Sequence, residues 1–227
     1  MKKVFGLITA AAIASASASP IVMSLDEFWD TSIGMTVTID DEAYADYFAV
    51  TADVNTGYYG DIVAMYVDFS SLPAGLDKTD FSVIGSNNRT SPTSVFSDPS
   101  PTVVISNNNV LRIPGLNYTN LNGDGATIAP FDVGVATGTQ GLKNDLDPVT
   151  VLIKKSGVSS VMLPTLVERV GVRLQSVGVT FDAREGSSKV VYDQPPTNVP
   201  EPSSLSLLIP GLLTLLGLSR FRSRKSK

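Results

Sequence analysis

Oxygen-bearing side chains fall at alternate positions in Asn120-Leu121-Asn122-Gly123-Asp124-Gly125, with a glycine where a sharp turn would need one. Such spacing suits a hard cation such as calcium. An EF-hand would also need a bidentate glutamate at loop position twelve, where this chain has Phe131 followed by Asp132. The EF-hand is therefore excluded, while a different calcium loop drawing on Asn122, Asp124 and Asp132 stays open beside a plain Asn/Gly turn. Asp40, Asp41 and Glu42, and again Asp145 with Asp147, offer neighbouring carboxylates. Glycoside hydrolysis uses two carboxylates across the scissile bond, one of them made a weak acid by burial, and they ordinarily come from distant parts of a chain. Adjacent acids in turns read more simply as solvated surface.

Other chemistry is thinner. The chain contains neither histidine nor cysteine, which removes thiol catalysis, disulfides and the side chain most often used for proton transfer near neutral pH. Ser187 and Ser188 follow Gly186, but there is no G-x-S-x-G elbow, and Lys189 does not complete S-x-x-K. A phosphate-binding G-x-x-x-x-G-K-[ST] loop is also absent. An enzyme is disfavoured, and neither a catalytic residue, a cofactor nor an assigned metal site is expected. Tyr58, Tyr59, Tyr66 and Tyr118, with Trp29, could stack on sugar rings; the alternative is that they close the edges of a β structure.

The elements that would position these groups are strands. Ile33, Met35, Val37 and Ile39 alternate with Gly34, Thr36 and Thr38, which puts apolar side chains on one face. The same period of two runs through Phe48 to Val54, Val63 to Phe69, Phe131 to Val135, Val149 to Ile153, Val170 to Leu174 and Val177 to Phe181. About ten strands are expected. Turn chemistry punctuates them at Asn55-Thr56-Gly57, Gly85-Ser86-Asn87-Asn88, Asn107-Asn108-Asn109, Asn122-Gly123-Asp124-Gly125 and Glu185-Gly186. Short helical turns would fit only 41–47 or 163–169. The pattern predicts an all-β, antiparallel two-sheet sandwich, with a jelly roll equally compatible.

Charge is segregated. Of 17 basic residues, Lys2, Lys3, Arg220, Arg222, Arg224, Lys225 and Lys227 lie at the two ends, leaving 10 basic against 22 acidic between them. So acidic a middle repels phosphate backbones, and nucleic acid is not an expected partner.

The start, MKKVFGLITAAAIASASASP, has two lysines, a short apolar run and a small-residue exit, which is the pattern of a secretory signal peptide. Ala16 and Ala18 would fit signal peptidase. At the other end VPEPSSLSLLIPGLLTLLGLSRFRSRKSK carries residues 203–219, which at about 1.5 Å per residue reach only about 26 Å. Arg220, Arg222, Arg224 and Lys225 would hold that short span by snorkelling and keep its end cytoplasmic. Pro195, Pro196, Pro200 and Pro202 ahead of it favour extended chain, while Pro210, Gly211 and Gly217 weaken the apolar helix itself.

This order of Val199-Pro200-Glu201-Pro202, apolar helix and arginine-rich end resembles the PEP-CTERM sorting signal of Gram-negative bacteria. The resemblance implies processing by an exosortase, a membrane-embedded protease or transpeptidase, near the Pro-Glu-Pro. It also implies transient inner-membrane anchoring and delivery to the cell surface or extracellular matrix. FDVGVATGTQG and VGVRLQSVG with REGSSKVV are similar to stretches of secreted PEP-CTERM proteins common in cyanobacteria, for which no catalytic residues are implied. The expected layout is a signal peptide at 1–18, a β-sandwich at 19–194, a Pro-rich linker at 195–202, a sorting helix at 203–219 and a basic tail at 220–227. The expected role is a non-enzymatic surface or exopolysaccharide-matrix protein. A carbohydrate-binding module is the alternative, and a carboxylate-dependent hydrolase the less favoured one.

Overall fold

Valine, isoleucine and threonine in alternation favour an extended, half-buried backbone, because branched Cβ atoms pack well on a pleated surface. The computed structural model describes residues 20–25, 27–29, 33–86, 95–121, 128–138, 146–155, 167–180, 184 and 186–192, all within the compact unit Ser19–Val199. Twelve strands form there: β1 Ile21–Leu25, β2 Glu27–Trp29, β3 Met35–Tyr44, β4 Tyr47–Val54, β5 Tyr59–Phe69, β6 Phe81–Ser86, β7 Val95–Asp98, β8 Val103–Val110, β9 Phe131–Ala136, β10 Val149–Lys154, β11 Val167–Gly178 and β12 Gly186–Tyr192. Two single 3-10 turns, Lys78–Asp80 and Asn117–Thr119, are the helical pieces among the described residues. None is long and apolar enough to cross a membrane, and residues 203–219 lie outside the described set.

Both sheets are antiparallel and six-stranded, ordered β1-β3-β4-β10-β6-β7 and β2-β12-β11-β5-β9-β8. One core joins their facing sides. The first sheet contributes Met35, Val37, Ile39, Phe48, Val50, Val83, Val149, Val151 and Ile153; the second contributes Ile62, Met65, Val67, Val133, Val170, Val172 and Val190. Each such side chain is worth about 1.5–3 kcal/mol when taken out of water, so this layer dominates the stability of the sandwich-like fold.

The second sheet is buried on its other face too. Residues 111–121 and 128–130 lie across it as a flap, and Ile113, Leu121 and Ile128 pack with Ala64, Tyr66, Val110 and Phe131 into a second, smaller core. This is why every residue of β5 from Gly60 to Phe69 is buried rather than every other one. Small residues make the room. A Cβ on Gly171 would stand 2.9 Å from Phe131 Cζ and 3.0 Å from Leu121 Cδ1, and one on Gly134 would stand 2.9 Å from Val110 Cγ1. Gly171→Ala is therefore expected to cost about 1–3 kcal/mol through overpacking, read as a lowered midpoint in a urea melt. An unchanged midpoint would mean the flap does not sit so close.

Several sequence expectations are corrected. Residues 41–47 form the end of β3, a two-residue turn at Ala45 and Asp46, and the start of β4 rather than a helix, and Val167 to Arg169 belongs to β11. Asn107-Asn108-Asn109 is not a turn between strands. It lies inside β8, where Asn108 takes φ +48° and the pairing with β9 slips between Ile105 and Val110. Val170 to Leu174 and Val177 onward are one strand, not two, because the change of phase between them is a bulge at Ser176. By contrast Asn55-Thr56-Gly57 is the turn the residues suggest, with Gly57 at φ +96° and Tyr58 N–H donating to Asn55 O.

Candidate functional site

Asp132 is placed by the β9 pleat on the outer face of the second sheet, and it is 1% exposed. Its Oδ1 accepts from Asn108 N at 2.7 Å and its Oδ2 from Phe69 N at 3.1 Å, so it ties β9 to both neighbouring strands. A calcium ion would have to compete with both amides. Asn122 and Asp124 lie outside the described residues, and among the described residues no group of three metal-binding side chains converges.

Asp68 lies near Asp132 at the same end of the sheet. Arg169, its register partner on β11, donates to Asp68 Oδ2 from Nε at 2.7 Å and forms an ion pair with the same oxygen through Nη2 at 2.6 Å. The same guanidinium reaches Ala129 O and Pro130 O at 3.1 and 2.6 Å, and its Cζ stands 4.6 Å above the Phe131 ring. Asp68 Oδ1 stays buried without a hydrogen-bond partner among the described residues. Burial pushes the Asp68 carboxyl above its ordinary value; Arg169 opposes this, and the Asp132 carboxyl adds to it. Two acids from distant strands do converge here, as a hydrolase would require. Their 5% and 1% exposure, and the backbone amides and arginine they already hold, make them a clamp on the flap rather than a pair facing substrate.

Asp147 and Asp40 also bond within the fold. Asp147, beside a cis peptide to Pro148, accepts from Val54 N at 2.9 Å, while Asp145 lies outside the described residues. Asp40 Oδ1 accepts from Ala43 N at 3.0 Å, and the buried Asp41 gives its carbonyl to Lys155 Nζ. Nor do the tyrosines form an exposed row. Tyr66 is fully buried, donates to Thr119 O and has its phenol pushed up to about 12 by that burial. Tyr118 donates to Gly138 O at 3.3 Å, and Tyr58 packs against the main core. Ser188 is buried, and Lys189 nearly so.

What the sequence reading missed lies just beyond the flap. A cleft of about 310 Å³ is lined by Arg173, Gln175, Ser176, Arg184, Gly186 and Ser187. Antiparallel pairing sets Arg173 opposite Lys189 and Gln175 opposite Ser187, so these four share one face. Ser176 joins them because the bulge puts two consecutive side chains on the same side, at the cost of φ +50° for a residue with a Cβ. Arg173 is held by Tyr118 O at 3.3 Å from Nε and by Ser188 O at 3.2 Å from Nη1. Polar residues an even number of places apart, Arg169, Arg173 and Gln175, in an otherwise apolar run were the available signal.

Ala16, Ala18, Val199, Pro200, Glu201, Pro202, Arg220, Arg222, Arg224 and Lys225 lie outside the described residues. No protein-family model, curated protein or solved structure matches this chain.

Proposed function

We propose that this is an exported, non-enzymatic protein of the cell surface or exopolysaccharide matrix, released from its leader by signal peptidase and sorted by an exosortase through its carboxyl end. The observation that carries this reading is the order Val199-Pro200-Glu201-Pro202, a 17-residue apolar run at 203–219, then Arg220, Arg222, Arg224 and Lys225. A run that short, interrupted by Pro210-Gly211, suits a segment held briefly in the inner membrane and then removed. Support for the non-enzymatic half comes from the buried acids: Asp147 and Asp132 accept backbone amides, Asp68 is held by Arg169, and no histidine exists in the chain as a base.

The test is the mass of the mature protein against the full chain in an exosortase-bearing Gram-negative host. The mature form is expected to lack residues 220–227 and to appear at the cell surface or in the medium. Recovery of those residues on the mature protein would overturn the sorting reading.

A further inference from the structure

The cleft at the bulge in β11 has no role in that reading, and its chemistry is specific. Two guanidinium groups, Arg173 and Arg184, line one small space with the amide of Gln175 and the hydroxyls of Ser176 and Ser187, and no carboxylate is among its described lining residues. Both charged groups among the described lining residues are positive, in a chain whose middle is acidic. Carbonyl bonds from the flap and from β12 fix the plane of Arg173, so its fork is oriented before any ligand arrives. Ser176 is held in the left-handed region, where a side chain is unfavourable, and the effect is to turn it into the cleft beside Gln175.

Planar, forked donors match carboxylates, and amide and hydroxyl groups match sugar hydroxyls. Among its described lining residues the groups that could meet a ligand are two guanidiniums, an amide and two hydroxyls. The volume sits at the lower end of small-molecule clefts, which suits one or two sugar rings. We infer that this cleft binds an acidic saccharide, with the carboxylate of a uronic acid against Arg173 and Arg184 and its ring hydroxyls against Gln175, Ser176 and Ser187. The inference rests on the matrix reading only for the presence of such a polymer outside the cell.

The full-length chain, purified in nonionic detergent, is titrated calorimetrically at low salt with trigalacturonate, with the neutral maltotriose and with inorganic sulfate. Trigalacturonate is expected to bind, maltotriose not to, and sulfate to bind at least about tenfold more weakly. Arg184→Ala should weaken trigalacturonate binding about tenfold or more in protein that still melts cooperatively, and Gln175→Ala should weaken it by a smaller factor. Silence with trigalacturonate, equal binding of maltotriose, or full binding by Arg184→Ala would overturn the site. Sulfate binding as tight as trigalacturonate would overturn its saccharide character. Lost binding beside normal tail processing would remove the ligand alone, and intact binding beside an unprocessed tail would remove the sorting alone.

Discussion

Arg169→Met is expected to destabilise the folded unit by about 3–5 kcal/mol near neutral pH, because it strips the counter-charge from a buried carboxylate. Asp68 is 5% exposed and meets this guanidinium through a single oxygen, with a hydrogen bond from Nε and an ion pair with Nη2. The methionine keeps apolar bulk over Phe131 but gives up the bonds to Ala129 O and Pro130 O that hold the end of the flap. The pH dependence separates these losses. Because burial already raises the Asp68 pKa above 3.8, the folded state holds this proton more tightly than the unfolded chain. Stability from the site is therefore fully present below the unfolded value and is lost as pH climbs through the folded one. Arg169 works against that rise, so its removal pushes the folded pKa further up and extends the loss over a wider range. Urea melts should show the deficit of the variant shrinking as pH is lowered from about 7.5 towards 4.5, as Asp68 becomes neutral. Asp68→Asn in the same background should recover part of it at neutral pH. A deficit independent of pH would show that the charge on Asp68 is not what Arg169 balances.

Asp132→Ala should cost a comparable amount, about 3–5 kcal/mol, by a different route. Both oxygens of Asp132 accept backbone amides, and Phe69, one of the donors, is 4% exposed. Its N–H would be left buried and unpaired, whereas Asn108 N–H sits on an exposed residue where water can replace the carboxylate. For a unit of this size each kcal/mol is worth about 2–4 °C, so a fall of about 10 °C in the melting temperature is expected. Asp132→Asn keeps an acceptor and should lose roughly half as much. Amide exchange at Phe69 should accelerate in the alanine variant; a melting temperature within about 2 °C of the parent would refute the clamp.

How much of this was legible depended on whether a residue's surroundings were local. The faces of β3 and β4 follow from their own residues, since Met35, Val37 and Ile39, and Phe48, Val50, Ala52 and Val54, all point into the core as their spacing says. The phase of β5 did not follow. Val63, Met65, Val67 and Phe69 suggest one face, yet Ile62 takes the inward place with Met65, because the pairing with β11 slips between Leu174 and Arg173. Nothing near Ile62 encodes a slip made by a strand more than a hundred residues later. The same holds for Asp132: its position beside an Asn/Gly-rich loop suggested an ion ligand, while its real partners lie on β5 and β8. Asp68 gives no sign of its role within the run from Val63 to Phe69, because the arginine that faces it comes from β11. The proposed destination of the chain, by contrast, rests on contiguous residues at its ends and calls on no tertiary contact.

The strand orders carry a consequence for biogenesis. In the first sheet β10 is the rung between β4 and β6, and in the second β11 joins β5 to β12. Were the chain to emerge amino end first, as the proposed export has it, the β3-β4 hairpin could close early, but the first sheet would stay in two pieces until Lys154 had emerged and the second would stay incomplete until Tyr192 had. Each sheet would then be completed by strands from the carboxyl-terminal half of the folded unit, β10 in one layer and β11 with β12 in the other, so that local hairpins precede the long-range pairings.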